Sequence, residues 1–375
     1  MRCALVLLFA LTASAATLKP IVPKDGPKPV GPYSPGIDAG AFVYVSGQGA
    51  RDATGRLPAG IEDQTRQCLS NVKQVLDAAG LTFEHVVWAQ VFLSDAKNYD
   101  AMNRVYGSLF AKDPPARSSV IVARLPGETP VEISVVAVRE LSQKKVIRDS
   151  SIQIPASNAV QVGNRLYVSG VLGIDANRRV PKDPREQLRE LIRQMRVVLG
   201  KGGMELRNMA YVHVYADSAV PVKLLGRLLT DVLPSEAALS VIETAALPMG
   251  AHIEISGVAS KDAKREGDCN SIGDTIYCSG AGGTIEQALK RTSQNMTNTR
   301  TDMAHVAITN VFIDDIQNFE AMNKVYAVAF SRLAPARVTV QSTRKADELT
   351  LAPSTNSPPP KRDSPRVQIT TIAVR

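Results

Sequence analysis

The sequence predicts an α+β protein of three tandem copies of one unit, each a mixed, mostly antiparallel sheet with two helices on one face. Three observations lead there. First, one strand-like motif occurs three times, as Phe42-Val-Tyr-Val-Ser46-Gly47, Leu166-Tyr-Val-Ser169-Gly170 and Ile276-Tyr-Cys-Ser279-Gly280, each time after a glycine-led turn (Gly40-Ala41, Gly163-Asn164, Gly273-Asp274). Second, β-rich runs alternate with amphipathic helical runs inside each copy, which gives a sheet with one helical layer. Third, 375 residues at 44% hydrophobic and 21% charged are ordinary globular composition, enough for two or three domains with cores of their own. Collagen-like, disordered and small disulfide-scaffold classes are excluded.

The elements follow in chain order. Residues 1–16 read as a secretory leader: Arg2, an apolar run from Ala4 to Leu11, then the small-x-small site Ala13-Ser14-Ala15. The run is shorter than the roughly 20 residues a bilayer needs, so no stable membrane insertion is expected after cleavage, and a periplasmic or secreted protein is. Unit one is expected over 17–145, unit two over 146–261 and unit three over 262–375, with Lys144-Lys145 and the stretch from Lys261 to Arg265 as polar joins. Within a unit the coarse order is strand, strand, helix, strand, helix, strand, strand. Ile61, Thr65, Cys68, Val72, Leu76 and Ala79 recur at helical spacing with Gly80 as the stop; Leu188, Ile192, Met195 and Leu199 repeat the pattern, stopped by Gly200. A second repeated motif follows in each copy, Val86–Asp95, Met209–Asp217 and Val306–Asp314. The runs Asn98-Tyr-Asp-Ala-Met-Asn103-Arg-Val-Tyr106 and Asn318-Phe-Glu-Ala-Met-Asn323-Lys-Val-Tyr326 match closely. The β-rich runs 118–123 and 131–138, joined by Leu125-Pro-Gly127, predict a closing hairpin, which would bring Glu132 towards the Ser119 region. Unit three carries an insert in this region, proline-rich over 352–365 and including Ser354-Thr-Asn-Ser-Pro-Pro-Pro-Lys-Arg, expected to be a loop.

In Cys269–Cys278 the Gly273-Asp274 turn sets the register. Counting outward places Cys269 opposite Cys278 at a non-hydrogen-bonded pair, where Cα atoms approach to about 4.5 Å, within disulfide range. That disulfide is expected, with Cys68 a free core thiol.

Gly31-Pro-Tyr33-Ser-Pro, Val45-Ser-Gly47-Gln, Asn71-Val-Lys, Ala79-Gly-Leu, Asn103, Pro115-Ala-Arg117-Ser-Ser119-Val, Leu125-Pro and Val131-Glu132-Ile together resemble the reactive intermediate deaminase family, also called YjgF or RidA. The resemblance covers essentially all of unit one; units two and three look like divergent copies. It implies a chorismate-mutase-like fold that forms trimers with ligand sites between subunits. Three copies on one chain would then close as a monomeric intramolecular pseudo-trimer. It also implies a cofactor-independent hydrolysis of 2-imino acids to 2-keto acids and ammonia, with a small 2-imino or 2-keto acid as partner. The chemistry agrees with the residue types: a planar, permanently charged fork suits a carboxylate, and a carboxyl group suits water activation and proton transfer. By the resemblance, Arg117 binds the carboxylate and Glu132 assists water, while Tyr33, Asn103, Ser119 and Gly47 line the site.

The other copies depart from this pattern. Unit two keeps Glu254 but has Leu239 where Arg117 stands and Ala156 where Tyr33 stands. Unit three keeps Arg337 and Asn323 but has Gln368 in place of Glu132. On this reading unit one holds the most complete site, unit two is inactive, and unit three binds without efficient hydrolysis, because an amide cannot take a proton from water. A carboxylate-binding pseudoenzyme is the alternative, and a ribonuclease a weaker one. The net charge of +8, less one with the leader, comes with no aromatic interleaving, so no nucleic acid is expected. Cys/His spacing for a metal, a phosphate loop and a dinucleotide fingerprint are absent from the sequence.

Overall fold

The computed structural model describes residues 17–150, 154–175, 177–343 and 366–375. The leader-like segment 1–16 and the insert 352–365 lie outside the described residues.

Each unit forms one six-stranded sheet. In unit one the spatial order is Lys19–Ile21, Gly36–Asp38, Phe42–Gly49, Val131–Val138, Val86–Leu93, Ala116–Ile121. The last two run parallel and all other neighbours antiparallel. Helices Ile61–Ala78 and Tyr99–Leu109 cover one face. The helix Ile61–Ala78 buries Thr65, Cys68, Val72 and Leu76 against the sheet, and Gly80 beyond its end holds the left-handed conformation, φ +73°, that a non-glycine residue adopts at a cost. Units two and three repeat the plan, with strand Met209–Ala216 or Val306–Ile313 in the place of Val86–Leu93.

Val86–Leu93 is buried at all eight positions, as expected for a strand covered on both faces. One face meets the helices. The other meets the two remaining units, where Tyr44, Trp88, Tyr167, Tyr211, Tyr277, Ile308 and Ile372 form one core drawn from all three. Strand Ala116–Ile121 of unit one packs on Arg165–Leu172 of unit two, Ala238–Glu243 of unit two on Thr275–Thr284 of unit three, and Ala336–Gln341 of unit three on Phe42–Gly49 of unit one. The ring therefore closes within one chain as an intramolecular pseudo-trimer.

Four expectations are corrected. The runs 118–123 and 131–138 do not form a hairpin: both flank Val86–Leu93, one parallel and one antiparallel to it, so a whole strand separates them and Leu125–Thr129 is a crossover with a short turn at Pro126–Glu128. Three strands, not two, precede the first helix of each unit. Lys144 and Lys145 are not a linker but open the outer strand Lys144–Ile147 of the second sheet, paired with Val162 and Gln161. The helix Pro184–Lys201 runs through Gly200; Gly203, φ +69°, is the counterpart of Gly80. The third-unit hairpin follows the expected register, Cys269 opposite Cys278 and Ile272 opposite Thr275. Cys269 and Cys278 are disulfide-bonded, and Cys68 is buried and free.

Candidate functional site

The Ser-Gly pair ending each repeated strand motif is a β-bulge. Pairing with the closing strand slips between Val45 and Gln48, at Ser169-Gly170, and between Cys278 and Ala281. A bulge re-aims the side chains on it, and here it turns a serine towards the neighbouring unit. Ser46 Oγ accepts from the Arg337 backbone N–H at 2.9 Å and donates to Ser34 C=O at 2.6 Å. Ser169 Oγ does the same with Arg117 N–H at 2.8 Å and Ser157 C=O at 2.5 Å. Each interface arginine is thus fixed at its backbone by the adjacent unit. The glycine next to each serine makes room for a carboxyl: a Cβ on Gly47 would collide with Glu132 Oε1, and one on Gly170 with Glu254 Oε1.

Two composite clefts result. The first lies between units three and one, has a volume of about 350 Å³, and is lined by Tyr33, Gly47, Glu132, Phe319, Arg337 and Thr339 among others. The second lies between units one and two, is about 400 Å³, and is lined by Asn103, Arg117, Ser119, Ala156, Gly170 and Glu254 among others. Arg117 and Glu132, which the sequence assigns together to the reaction without deciding their clefts, stand in different ones. Arg117 faces Glu254 of unit two, and Glu132 faces Arg337 of unit three. The physical reason is the sheet order: an arginine on the edge strand of a sheet crosses the interface, whereas the glutamate on the inner closing strand sits beside its own bulge. Tyr33 and Gly47 accordingly accompany Glu132, while Asn103 and Ser119 accompany Arg117.

Both arginines are buried, Arg117 at 5% exposure and Arg337 at 3%. In the second cleft the helix Tyr99–Leu109 presents Asn103 and Tyr106 on one face, three residues apart. Asn103 Oδ1 accepts from Arg117 Nη2 at 2.6 Å, and the guanidinium lies 4.5 Å from the Tyr106 ring centre. In the first, Arg337 lies among Tyr326 (4.8 Å), Tyr33 (5.0 Å) and Phe319 (5.4 Å), with Asn323 nearby against Gly31. The tyrosine shelf was legible in the Asn-x-x-Tyr spacing of the repeated helix.

The carboxyl groups are equally buried. Glu132 accepts a hydrogen bond from the Thr339 backbone, and burial, opposed by Arg337, pushes its pKa up to about 8. Glu254 accepts from Ser118 Oγ and from the Ser119 backbone; burial, opposed by Ser118 and Arg117, raises it to about 7. Buried polar atoms without a partner gather at these clefts: Arg117 Nη1 and Ser119 Oγ in the second, Glu132 Oε1, Arg337 Nη2, Thr339 Oγ1 and Asn323 Oδ1 in the first. Buried polar groups are normally satisfied, so such clusters mark where a polar ligand fits.

The third interface, between units two and three, carries both departures. Leu239 holds the register position of Arg117, paired with Val212 as Arg117 is with Ala89, and Gln368 lies against Gly280 where Glu132 lies against Gly47. The interface serine has also moved, with Ser240 Oγ accepting from Gly280 N–H at 2.8 Å. The lost arginine of unit two and the lost glutamate of unit three therefore fall in one cleft, and the other two each keep an Arg and a Glu.

A match to the family described as endoribonuclease L-PSP covers residues 23–139, 151–261 and 271–350, most of the chain. A RutC family protein of Pyrococcus horikoshii is 43% identical over 122 residues, 32% of this chain and 97% of the relative. A 2-iminobutanoate/2-iminopropanoate deaminase of Escherichia coli is 39% identical over 125 residues, 32% of this chain and 98% of the relative. The crystal structure of the YjgF gene product of E. coli aligns at 39% identity and TM-score 0.32, covering 32% of this chain and 99% of that one.

Proposed function

This chain belongs to the endoribonuclease L-PSP family in each of its three units, and we propose that it hydrolyses 2-imino acids to 2-keto acids and ammonia at two composite clefts, without a cofactor. The observation that carries the reading is the repeated pairing, across two interfaces, of a buried arginine that has a free donor with a buried carboxyl from the next unit whose pKa is raised to about 8 or about 7. The name of the E. coli relative supports the same chemistry.

The substrate carboxylate takes the open face of Arg117 or Arg337, which fixes the adjacent C=N carbon near the glutamate. Water adds to the protonated imine carbon and gives one proton to the glutamate, leaving a carbinolamine. The glutamic acid then protonates the nitrogen. It takes the hydroxyl proton back as C=O forms, the C–N bond breaks and ammonia leaves. A carboxyl with a pKa of about 7 to 8 serves both directions of transfer near neutral pH. No histidine lines either cleft, which disfavours a ribonuclease mechanism. The Leu239/Gln368 interface retains neither group and has no part in turnover. Action outside the cytoplasm is part of the same proposal, on the leader-like sequence of residues 1–16.

The test generates 2-iminobutanoate in situ with an amino-acid oxidase and follows its loss. The full chain accelerates the loss over buffer. Arg117→Ala and Arg337→Ala each reduce kcat/KM at their own cleft by roughly 10- to 100-fold, the value of hydrogen bonds to a charged group. No acceleration by the wild type would overturn the reading.

A further inference from the structure

The two clefts differ in a coordinated way at one turn. In unit one, Asp52 organises a turn in which Gly55 N–H donates to Asp52 C=O at 2.9 Å and Asp52 Oδ1 accepts from Thr54 and Arg56 N–H. In unit two, Asp175 builds the same turn with Arg178 N–H at 2.9 Å and with Asn177 and Arg179 N–H. The residue at the glycine position is now an arginine, and it keeps the glycine's conformation, φ +61° against +85°. Met249, φ +60°, likewise stands where Gly127 does, φ +65°. Left-handed backbone at non-glycine residues costs about 1–2 kcal/mol, and such strain gathers at functional sites.

The turn's charge is redistributed too. In the first cleft Arg51 is consumed by the backbone: its guanidinium donates to Gly55 C=O at 2.9 Å and to Gly127 C=O at 3.0 and 3.3 Å. Unit two has Ile174 at that position and Arg178 four residues on. Arg178 is exposed and lines the second cleft, and among the described residues its guanidinium makes one hydrogen bond, to Met249 Sδ at 3.9 Å. Asp175 pairs with Arg179, and Glu254 is held by Ser118 and Ser119; Asp100, in the first turn of the helix Tyr99–Leu109, is the other acid lining this cleft. Ala156, in place of Tyr33, also lines this cleft, whereas Tyr33 stacks on the arginine of the first.

We infer that the second cleft takes, besides monocarboxylates, 2-imino and 2-keto acids bearing a second carboxylate on the side chain, with Arg117 holding the α-carboxylate and Arg178 the distal one, while the first cleft takes only monocarboxylates with apolar side chains. The inference rests on the proposed function for the role of Arg117. The first cleft is lined by Pro29, Val30, Tyr33 and Phe319, its Arg51 is already bonded, and its Lys28 and Asp52 bring charges of opposite sign.

Calorimetry with the full chain, using the stable products 2-oxoglutarate and 2-oxobutanoate, tests it apart from turnover. Arg178→Gly restores the residue that the backbone conformation favours, so folding is retained. This variant weakens 2-oxoglutarate binding by roughly tenfold, the value of one charge-assisted contact, and leaves 2-oxobutanoate unchanged; Arg178→Lys recovers part of the loss. Arg117→Ala abolishes 2-oxoglutarate binding and Arg337→Ala does not. Equal weakening of both ligands by Arg178→Gly, or of neither, would overturn the inference. A selective loss of 2-oxoglutarate in a protein that hydrolyses no imine would instead sink the deaminase reading and leave this one standing.

Discussion

At the scale of single residues, burial moves the titration of each glutamate up towards neutral pH. Glu132 is buried beside a glycine that cannot crowd it, with one oxygen bonded to the Thr339 backbone and Oε1 left free. Its pKa of about 8 lies above the usual carboxyl value of 4.5, so the folded protein binds more protons than the unfolded chain between those two values. The stability this group contributes is full below about pH 4.5 and is lost as pH rises through about 8. Replacing it with the neutral amide removes that dependence. In Glu132→Gln the melting temperature therefore falls less than in the wild type between pH 5 and 8, and the gap between the two curves widens in favour of the variant; parallel curves would show that Glu132 is ionised in the fold. His213, buried and depressed to about 3, is common to both proteins and cancels in the comparison.

At the scale of elements, the bulged strand ends are the joints of the molecule. Ser46 lies on a kink of its own sheet, yet its hydroxyl satisfies the first peptide of the Arg337 side of unit three and the Ser34 carbonyl. Ser46→Ala leaves a buried N–H and a buried C=O without this partner, which costs about 1–3 kcal/mol, read as a lower urea midpoint at unchanged m-value. The substitution also frees Arg337 to shift, so turnover at the first cleft falls further than stability does. An unchanged urea midpoint would rule out the serine as a joint. The repeats, the first helix and the Cys269–Cys278 register were all legible from self-similarity, periodicity and turn chemistry, which are local. The position of strand 131–138 was not. Leu125-Pro-Gly between two β-rich runs reads equally as a hairpin turn or as a crossover, and only the burial of Val86–Leu93 on both faces selects the second. Gly200 misled for a similar reason: in a Gly-x-x-Gly stretch the stop is the glycine that needs positive φ, here Gly203.

At the scale of the whole molecule, the closed ring of three sheets decides which residues meet. The sequence singles out Arg117, Glu132, Glu254 and Arg337, but reading each unit by itself makes units two and three defective. Closure redistributes them, since each of the first two clefts takes its arginine from one unit and its carboxyl from the next. The losses at Leu239 and Gln368 then coincide in one interface, and a chain with two damaged copies keeps two complete clefts. That pairing spans more than a hundred residues of sequence in each case and follows from the order of strands in a sheet, which no local pattern encodes. Covalent linkage is what permits it: three identical subunits would lose all three sites to one substitution, whereas tandem copies confine the change to one cleft and leave Arg178 to alter another.

The most direct test of this trans pairing measures imino-acid hydrolysis in paired variants. Arg117→Ala and Glu254→Gln each remove most turnover at the second cleft, so together they leave nearly the same residual rate as either alone. Arg117→Ala with Glu132→Gln cripples both clefts and brings the rate close to that of buffer. A residual rate in Arg117→Ala/Glu132→Gln equal to that of either single variant, with Arg117→Ala/Glu254→Gln inactive, would show that Arg117 and Glu132 act as one site and would contradict the account.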